Sequence, residues 1–211
     1  MSAFRSRDLE QLSLLDEMTM ERSRRVALNA TSWIEHITGW LDDEKSLMQT
    51  LLHEAPWEQR SRWMYTKSVI EPRLTAEYRV LRAAPVLRVR EIGAALSSQY
   101  GVPYDSVWLN LYRDHHDSTA WHADRPCLRD NCIVPVLSLG ETRRFVIRPK
   151  DGGRTLTFIA KSGDLIVMGG RCQKDWVHCV PKESVRAGAR ISINFASTLQ
   201  AVADPPPAVA P

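Results

Sequence analysis

The sequence predicts a mainly β domain with flanking helices, and three observations predict it. Beyond residue 105 the chain breaks into short β-branched runs. Gly, Asp and Pro punctuate them, at Gly140, Asp151-Gly152-Gly153 and Ser162-Gly163. Helical spacing of apolar residues is confined to the first hundred positions. Short strands separated by turn signals point to a closed barrel or a sandwich with helices packed outside.

Taken in order, Leu9, Leu12, Leu15 and Met18 recur at a spacing that predicts helix over residues 1–25. Residues 1–40 accordingly read as an N-terminal helical extension ahead of a domain over 41–198. A helix over 42–55 follows from the stripe Leu47, Leu51 and Leu52; Asp42 or Asp43 can cap it, and Pro56 ends it. Residues 90–100 predict another helix, stopped by Gly101 and Pro103. Strands are expected at 107–112, 133–139, 144–148, 155–159, 164–168 and 190–195. The segment 199–211 ends in ADPPPAVAP, a composition that predicts disorder.

The 211 residues suffice for one sizeable core. No run approaches the roughly 18 apolar residues that span a bilayer, and the N-terminus lacks the apolar core of a secretory signal. A cytoplasmic protein with no membrane partner is expected. Cys127, Cys132, Cys172 and Cys179 form no CxxC pair. They read as free thiols in a reducing compartment; a zinc site from Cys172, His178 and Cys179 would have poor spacing. Net charge is +3 with a pI near 8.7, short of the value above about 9 that marks a strong nucleic-acid footprint. The distribution says more than the total. Arg60, Arg62, Lys67, Arg73, Arg79, Arg82, Arg88 and Arg90 interleave with Trp57, Trp63, Tyr65 and Tyr78. That segment is either a solvated basic face or a surface that grips phosphates and stacks bases.

His122-Ala123-Asp124 and the distant His178 are the chemical signal. Two imidazoles and one carboxylate form the facial set of non-haem Fe(II) oxygenases, which leaves metal positions open. In a strand, residues i and i+2 share a face, so His122 and Asp124 at a strand end can reach one ion. HxD alone is a weak signal, because most such tripeptides are surface or loop residues.

Four pieces in order sharpen it: NLY at 110–112, WHAD at 121–124, GDLIVMGGRCQKDWVHCVPK at 163–182 and RISINF at 190–195. With the lead-in SVWLNLYRDHHDSTAWHAD and the pair LSLGETRRF, this combination resembles the AlkB family of Fe(II)/2-oxoglutarate-dependent dioxygenases over roughly 50–198. The resemblance implies a double-stranded β-helix (jelly-roll) core with iron, 2-oxoglutarate and O2 at its mouth. It implies His122, Asp124 and His178 as iron ligands. Arg190 matches the arginine that forks onto the far carboxylate of 2-oxoglutarate. Tyr112, Asn110 and Ser192 fall in the same cosubstrate set. A nucleotide-recognition lid is implied over about 60–90, with Trp63, Arg73 and Tyr78 as substrate contacts; the alternative for Trp63 and Tyr78 is lid core. Demethylation of an alkylated base in DNA or RNA by a monomer is the implied activity. The same chemistry on another substrate, and a non-catalytic nucleic-acid-binding relative, are the alternatives.

Two departures stand out. Ala196 occupies the place of a second arginine in the family, for which Arg144 or Arg113 could substitute. Arg125-Pro126 stands where acidic residues commonly follow the HxD.

Overall fold

The computed structural model describes residues 22–64, 66–124 and 130–198. In chain order the elements are β1 (Ser23–Ala27), β2 (Ser32–Ile37), α1 (Glu44–Glu54), β3 (Ser61–Met64), β4 (Lys67–Ile70), β5 (Leu74–Tyr78), a 3₁₀ turn (Leu81–Ala83) and α2 (Leu87–Tyr100). Then come β6 (Ser106–Tyr112), β7 (Thr119–His122), β8 (Cys132–Gly140), β9 (Arg143–Pro149), β10 (Leu156–Ala160), β11 (Leu165–Gly170), α3 (Cys172–Asp175), β12 (Trp176–Val180) and β13 (Arg190–Ala196). A seven-stranded sheet runs β1-β2-β11-β8-β13-β6-β5, and a four-stranded sheet runs β10-β9-β12-β7. The β3–β4 hairpin stands apart. These are the two layers of a jelly roll.

Period-2 alternation explains the layering. On one face of the large sheet, Leu109, Leu111, Leu137, Leu139, Ile191, Ile193 and Phe195 pack against Leu47 and Leu51 of α1 and Val89, Ile92 and Leu96 of α2. On the other, Ile34, Val134, Val136, Ile166 and Met168 meet Phe145, Ile147, Ala160 and Trp176 of the small sheet. Both faces are covered, so β8 and β11 read as nearly continuous apolar runs. Full burial of each large aliphatic side chain contributes roughly 1.5–3 kcal/mol.

Toward one end of the inter-sheet layer the inward positions turn polar. There β13 contributes Arg190, Ser192 and Asn194, β6 contributes Asn110 and Tyr112, and β8 contributes Ser138, all buried. The register sets Arg190 against Tyr112 and Gly140, and Ser192 against Asn110 and Ser138. The polar set is thereby one patch across three neighbouring strands.

Residues 22–40 differ from the expected helical extension. β1 and β2 extend the large sheet, with Ile34 opposite Met168 and Trp33 opposite Gly169. Ser32, Ile34 and Ile37 are the buried residues of β2, a strand-like spacing at its start. The pairing of β2 with β11 brings the Trp33 indole over Gly169, where a Cβ would lie 1.9 Å from Trp33 Cε2. Residues 1–21, where the leucine spacing predicts helix, lie outside the described residues, as does the segment 199–211.

The helix expected over 42–55 is α1, but its cap differs. Asp43 sits at the N-cap without a side-chain capping bond. Its carboxylate instead takes two bonds from the Arg88 guanidinium, at 2.8 and 2.9 Å. This fork ties α1 to α2 and holds the Asp43 carboxyl below its usual range. Helix α2 starts three residues earlier than expected and ends at Gly101, in the left-handed region at φ +64°.

Of the cysteines expected as free thiols, Cys132 departs from expectation and Cys172 and Cys179 agree with it. Cys132 carries a disulfide, whereas Cys172 and Cys179 are free and buried. Pairing depends on Cβ atoms coming within about 4 Å, which sequence spacing does not encode. Burial pushes the Cys172 thiol up to about 12 and the Cys179 thiol to about 11, so both stay protonated.

Candidate metal centre and cosubstrate pocket

Strand β7 carries His122 on its last residue, and Asp124 follows two positions on. Strand β12 pairs with β7 so that His178 lies directly opposite His122. The rings sit 4.3 Å apart between centroids. One ligand atom from each of His122, Asp124 and His178 lies within 4.8 Å of the others. His122 Nε2 is 3.6 Å from Asp124 Oδ1, and His178 Nε2 is 3.6 Å from Asp124 Oδ2. The separated ends of the HxD…H pattern are therefore joined by one cross-strand pair, as the facial set requires.

The local chemistry fits a divalent ion. His122 Nδ1 lies 2.8 Å from the Ala120 carbonyl oxygen. A proton on Nδ1 donates there and leaves the Nε2 lone pair free. Phe145 stacks on His178 with centroids 5.3 Å apart. Burial, then the neighbouring His122, push His178 well below the usual imidazole value, so it is neutral and ready to ligate. Burial also raises the Asp124 carboxyl, against the opposing pull of His122 and a Gln173 hydrogen bond. A cation between these groups would relieve both penalties.

These residues sit in a cavity of about 900 Å³. Its wall includes Asn110, Tyr112, Thr119, Arg190, Ser192 and Asn194, and its rim includes Arg60, Trp63, Glu71, Arg73 and Trp121. Arg190 is 1% exposed, yet its Nε and Nη1 have no hydrogen-bond partner. Nη2 donates to Ser138 Oγ at 2.9 Å. A buried guanidinium with orphaned N–H groups at a cavity wall fits a carboxylate-bearing cosubstrate. Burial lowers the Arg190 pKa, opposed by the adjacent Tyr112 hydroxyl and reinforced by the nearby Arg143; that hydroxyl sits close to the guanidinium but meets no Arg190 N–H in hydrogen-bond geometry. The two guanidiniums lie 5.3 and 5.5 Å from the Tyr112 ring.

The other expected residues divide. Asn110 Nδ2 donates to Ser192 Oγ at 3.2 Å, so the two form one polar pair. The Tyr112 hydroxyl lies 2.6 Å from Thr119 Oγ1. Trp63, 72% exposed on β3, stands at the rim. Arg73 donates from Nε to Asn110 Oδ1 at 2.9 Å and pairs through Nη2 with Glu71 at 3.0 Å. Tyr78 is different from the expectation of a substrate contact. It does not line the cavity and packs against the helical core. Thr75 and Glu77 share a face of β5, and Tyr78 falls on the opposite one, against Val107.

Neither expected substitute for the arginine replaced by Ala196 reaches the cavity. Arg113 is forked onto Asp117, and Arg144 donates from Nε to both Glu183 carboxylate oxygens and from Nη2 to the Lys182 carbonyl. Arg125-Pro126 lies outside the described residues. Sequence reasoning missed Thr119, Ser138, Gln173 and Arg143. Only Arg143, adjacent to Arg144 in a basic strand, had any signal there. It is fully buried and donates to the carbonyls of Asp114, Asp117 and Pro181, bracing the turn before β7.

The model of the 2OG-Fe(II) oxygenase superfamily matches residues 17–195. The alpha-ketoglutarate-dependent dioxygenase alkB homolog 3 of Bos taurus is 32% identical over 179 residues, covering 74% of this chain and 62% of its own length. The human protein of the same name is 30% identical over 182 residues, covering 74% and 63%. The DNA oxidative demethylase ALKBH2 of Arabidopsis thaliana is 31% identical over 121 residues, covering 45% and 38%. The chain thus spans about three-fifths of the length of the first two relatives. Among solved structures, OsALKBH1 superposes with a TM-score of 0.55 at 13% identity, covering 82% of this chain and 99% of that one. A prolyl hydroxylase from Trichoplax adhaerens, in complex with a hypoxia inducible factor peptide, gives 0.57 at 12%, covering 90% and 92%. Those two likenesses establish the jelly-roll fold alone. With a paired His-Asp-His cluster, an unpaired buried arginine beside it and a family match over most of its length, the chain belongs to the 2OG-Fe(II) oxygenase superfamily and is AlkB-like within it.

Proposed function

We propose that the chain is an Fe(II)/2-oxoglutarate-dependent dioxygenase that removes N-linked alkyl groups from nucleobases in DNA or RNA. The observation that carries this reading is one cavity holding three things: the His122, Asp124 and His178 cluster, the orphaned N–H groups of Arg190, and the exposed Trp63 at its rim. When bound, iron with 2-oxoglutarate and O2 supplies the oxidant for a C–H bond; the protein supplies place and orientation.

Arg190 would take the far carboxylate of 2-oxoglutarate through Nε and Nη1. Ser138 Oγ accepts from the guanidinium Nη2, and Asn110 and Ser192 line the same cavity. Phe145, stacked on His178, adds apolar surface to the cavity beside the cluster. A base must leave its stack to enter such a cavity, and Trp63 offers a face on which an extruded or neighbouring base can stack. Arg60 and Arg73 supply positive charge at the rim, although Glu77 and Glu71 partly compensate them. That balance suits a single strand held by stacking more than by charge. No described helix is long and apolar enough to cross a membrane.

The test is incubation with Fe(II), 2-oxoglutarate and a 1-methyladenine oligonucleotide under air. Formaldehyde release with matching loss of the methyl group is expected. Succinate formation without nucleic-acid turnover would move the same chemistry to another substrate. Tight oligonucleotide binding without 2-oxoglutarate consumption would make the chain a binding protein.

A further inference from the structure

Gln173 lies on α3, the short helix that leads directly into β12 and His178. Its side chain is 1% exposed and engages one residue twice. Gln173 Oε1 accepts the backbone N–H of Asp124 at 2.8 Å, and Nε2 donates to Asp124 Oδ2 at 3.2 Å. Nε2 also lies 3.3 Å from Met168 Sδ. Asp124 Oδ1 takes no hydrogen bond from the described residues and faces His122 Nε2. One amide thereby fixes both the main chain and the carboxylate of the only acidic member of the cluster.

The residue type is dictated by this pairing. A primary amide offers an acceptor and a donor side by side. A carboxylate there would set anion against anion, and an aliphatic chain would orphan a buried N–H and a buried carboxylate oxygen. The platform is itself braced. Arg171 forks onto Asp175 at 2.7 and 3.1 Å, and Lys150 N–H donates to the Asp175 carbonyl at 3.0 Å. Asp124 needs an external anchor, because β7 ends at His122 and strand pairing does not reach it.

We infer that Gln173 is a positioning residue for the metal centre: it orients Asp124 as a ligand through one oxygen and couples it to the segment that delivers His178. The inference rests on the metal-site reading of the cluster. Groups that orient metal ligands from behind typically change metal affinity by roughly 10–100-fold when removed.

The experiment titrates the full chain with Co(II) under anaerobic conditions and follows the ligand-field absorption, with no turnover. Gln173→Met keeps the volume and removes both hydrogen bonds. It is expected to bind Co(II) roughly 10–100-fold more weakly, with an altered spectrum. Met168→Leu, which removes only the sulfur contact, is expected to match the unaltered protein. A folded Gln173→Met chain with unchanged affinity and spectrum overturns the inference. Should that variant fail to fold, exchange of the Asp124 amide hydrogen in the unaltered protein decides: strong protection is expected, and free exchange overturns it. His178→Ala is the separate arm. Retained Co(II) binding in that variant overturns the metal-site reading itself.

Discussion

Arg190→Met separates a ligand-binding role from a structural one, because the two predict opposite signs. The Arg190 guanidinium is buried with two nitrogens unpartnered. In the ligand-free protein those N–H groups and their charge are a cost, increased by the Arg143 guanidinium near the same Tyr112 ring. Replacing a buried, incompletely paired ion by an apolar side chain of similar length is often neutral or stabilising. The apo melting temperature should therefore hold or rise. With 2-oxoglutarate the sign reverses. Two charge-assisted hydrogen bonds at about 1.5–3 kcal/mol each amount to roughly 3–6 kcal/mol of lost binding. At about 1.4 kcal/mol per decade, that weakens the cosubstrate roughly 10²- to 10⁴-fold. The assay is thermal melting over a 2-oxoglutarate titration in the presence of Mn(II). A ligand at 100 times its Kd stabilises by about 2.7 kcal/mol, so the unaltered protein should show a clear upward shift and the variant none at the same concentration. A variant that melts far lower without ligand, yet keeps its 2-oxoglutarate shift, would refute the reasoning.

Three further outcomes follow from single contacts. Trp63→Ala should leave the melting temperature nearly unchanged, since the side chain is 72% exposed; oligonucleotide KM should rise by a factor matching about 1–3 kcal/mol of stacking, with 2-oxoglutarate KM unaltered. Gly169→Ala forces a Cβ into the Trp33 indole, so it should cost about 1–3 kcal/mol or more by urea unfolding and blue- or red-shift Trp fluorescence. Asp164 is opposed by burial but held below the usual carboxyl range by hydrogen bonds from His36 and the N–H groups of Lys161 and Gly39. A depressed folded pKa gives stability that is full above the unfolded value of about 4 and lost as pH falls through the folded one. Asp164→Asn should accordingly flatten the acid limb of a stability–pH profile and leave its neutral slope alone.

The legible parts of the molecule were those where one residue's neighbours along the chain decide its environment. Strands β6 and β13 are apolar on alternate positions and largely polar on the others, so RISINF and VWLNLY declare both a strand and its functional face. His122 and Asp124 needed only the period of a strand to fall on one side. The illegible parts depend on partners far away. SWIEHI carries two charged or ionisable residues in six and looks like surface until β11 is beside it. Tyr78 differs from Glu77 by a single step of the pleat, and only the pairing with Val107 tells which face is core. Gln173 carries no local signal at all, because its meaning lies in Asp124, forty-nine residues earlier in the chain.

Ala196 brings no positive charge to the cavity, whereas Arg73 lines it. Ala196 is buried beside Ser106, at the far end of the inward row formed by Arg190, Ser192 and Asn194. A cation placed there would have to extend along that row to reach the cluster. Arg73 arrives instead from the loop between the β3–β4 hairpin and β5, and its Nε meets Asn110. Asn110 is then held from both sides, accepting from Arg73 and donating to Ser192. Glu71 fixes the far end of the Arg73 fork. This chain of contacts joins the hairpin that carries Trp63 to the wall that carries Arg190. Substrate on the hairpin and cosubstrate on the wall would thus meet one hydrogen-bonded unit, and a change at Arg73 should reach both KM values where a change at Trp63 reaches one.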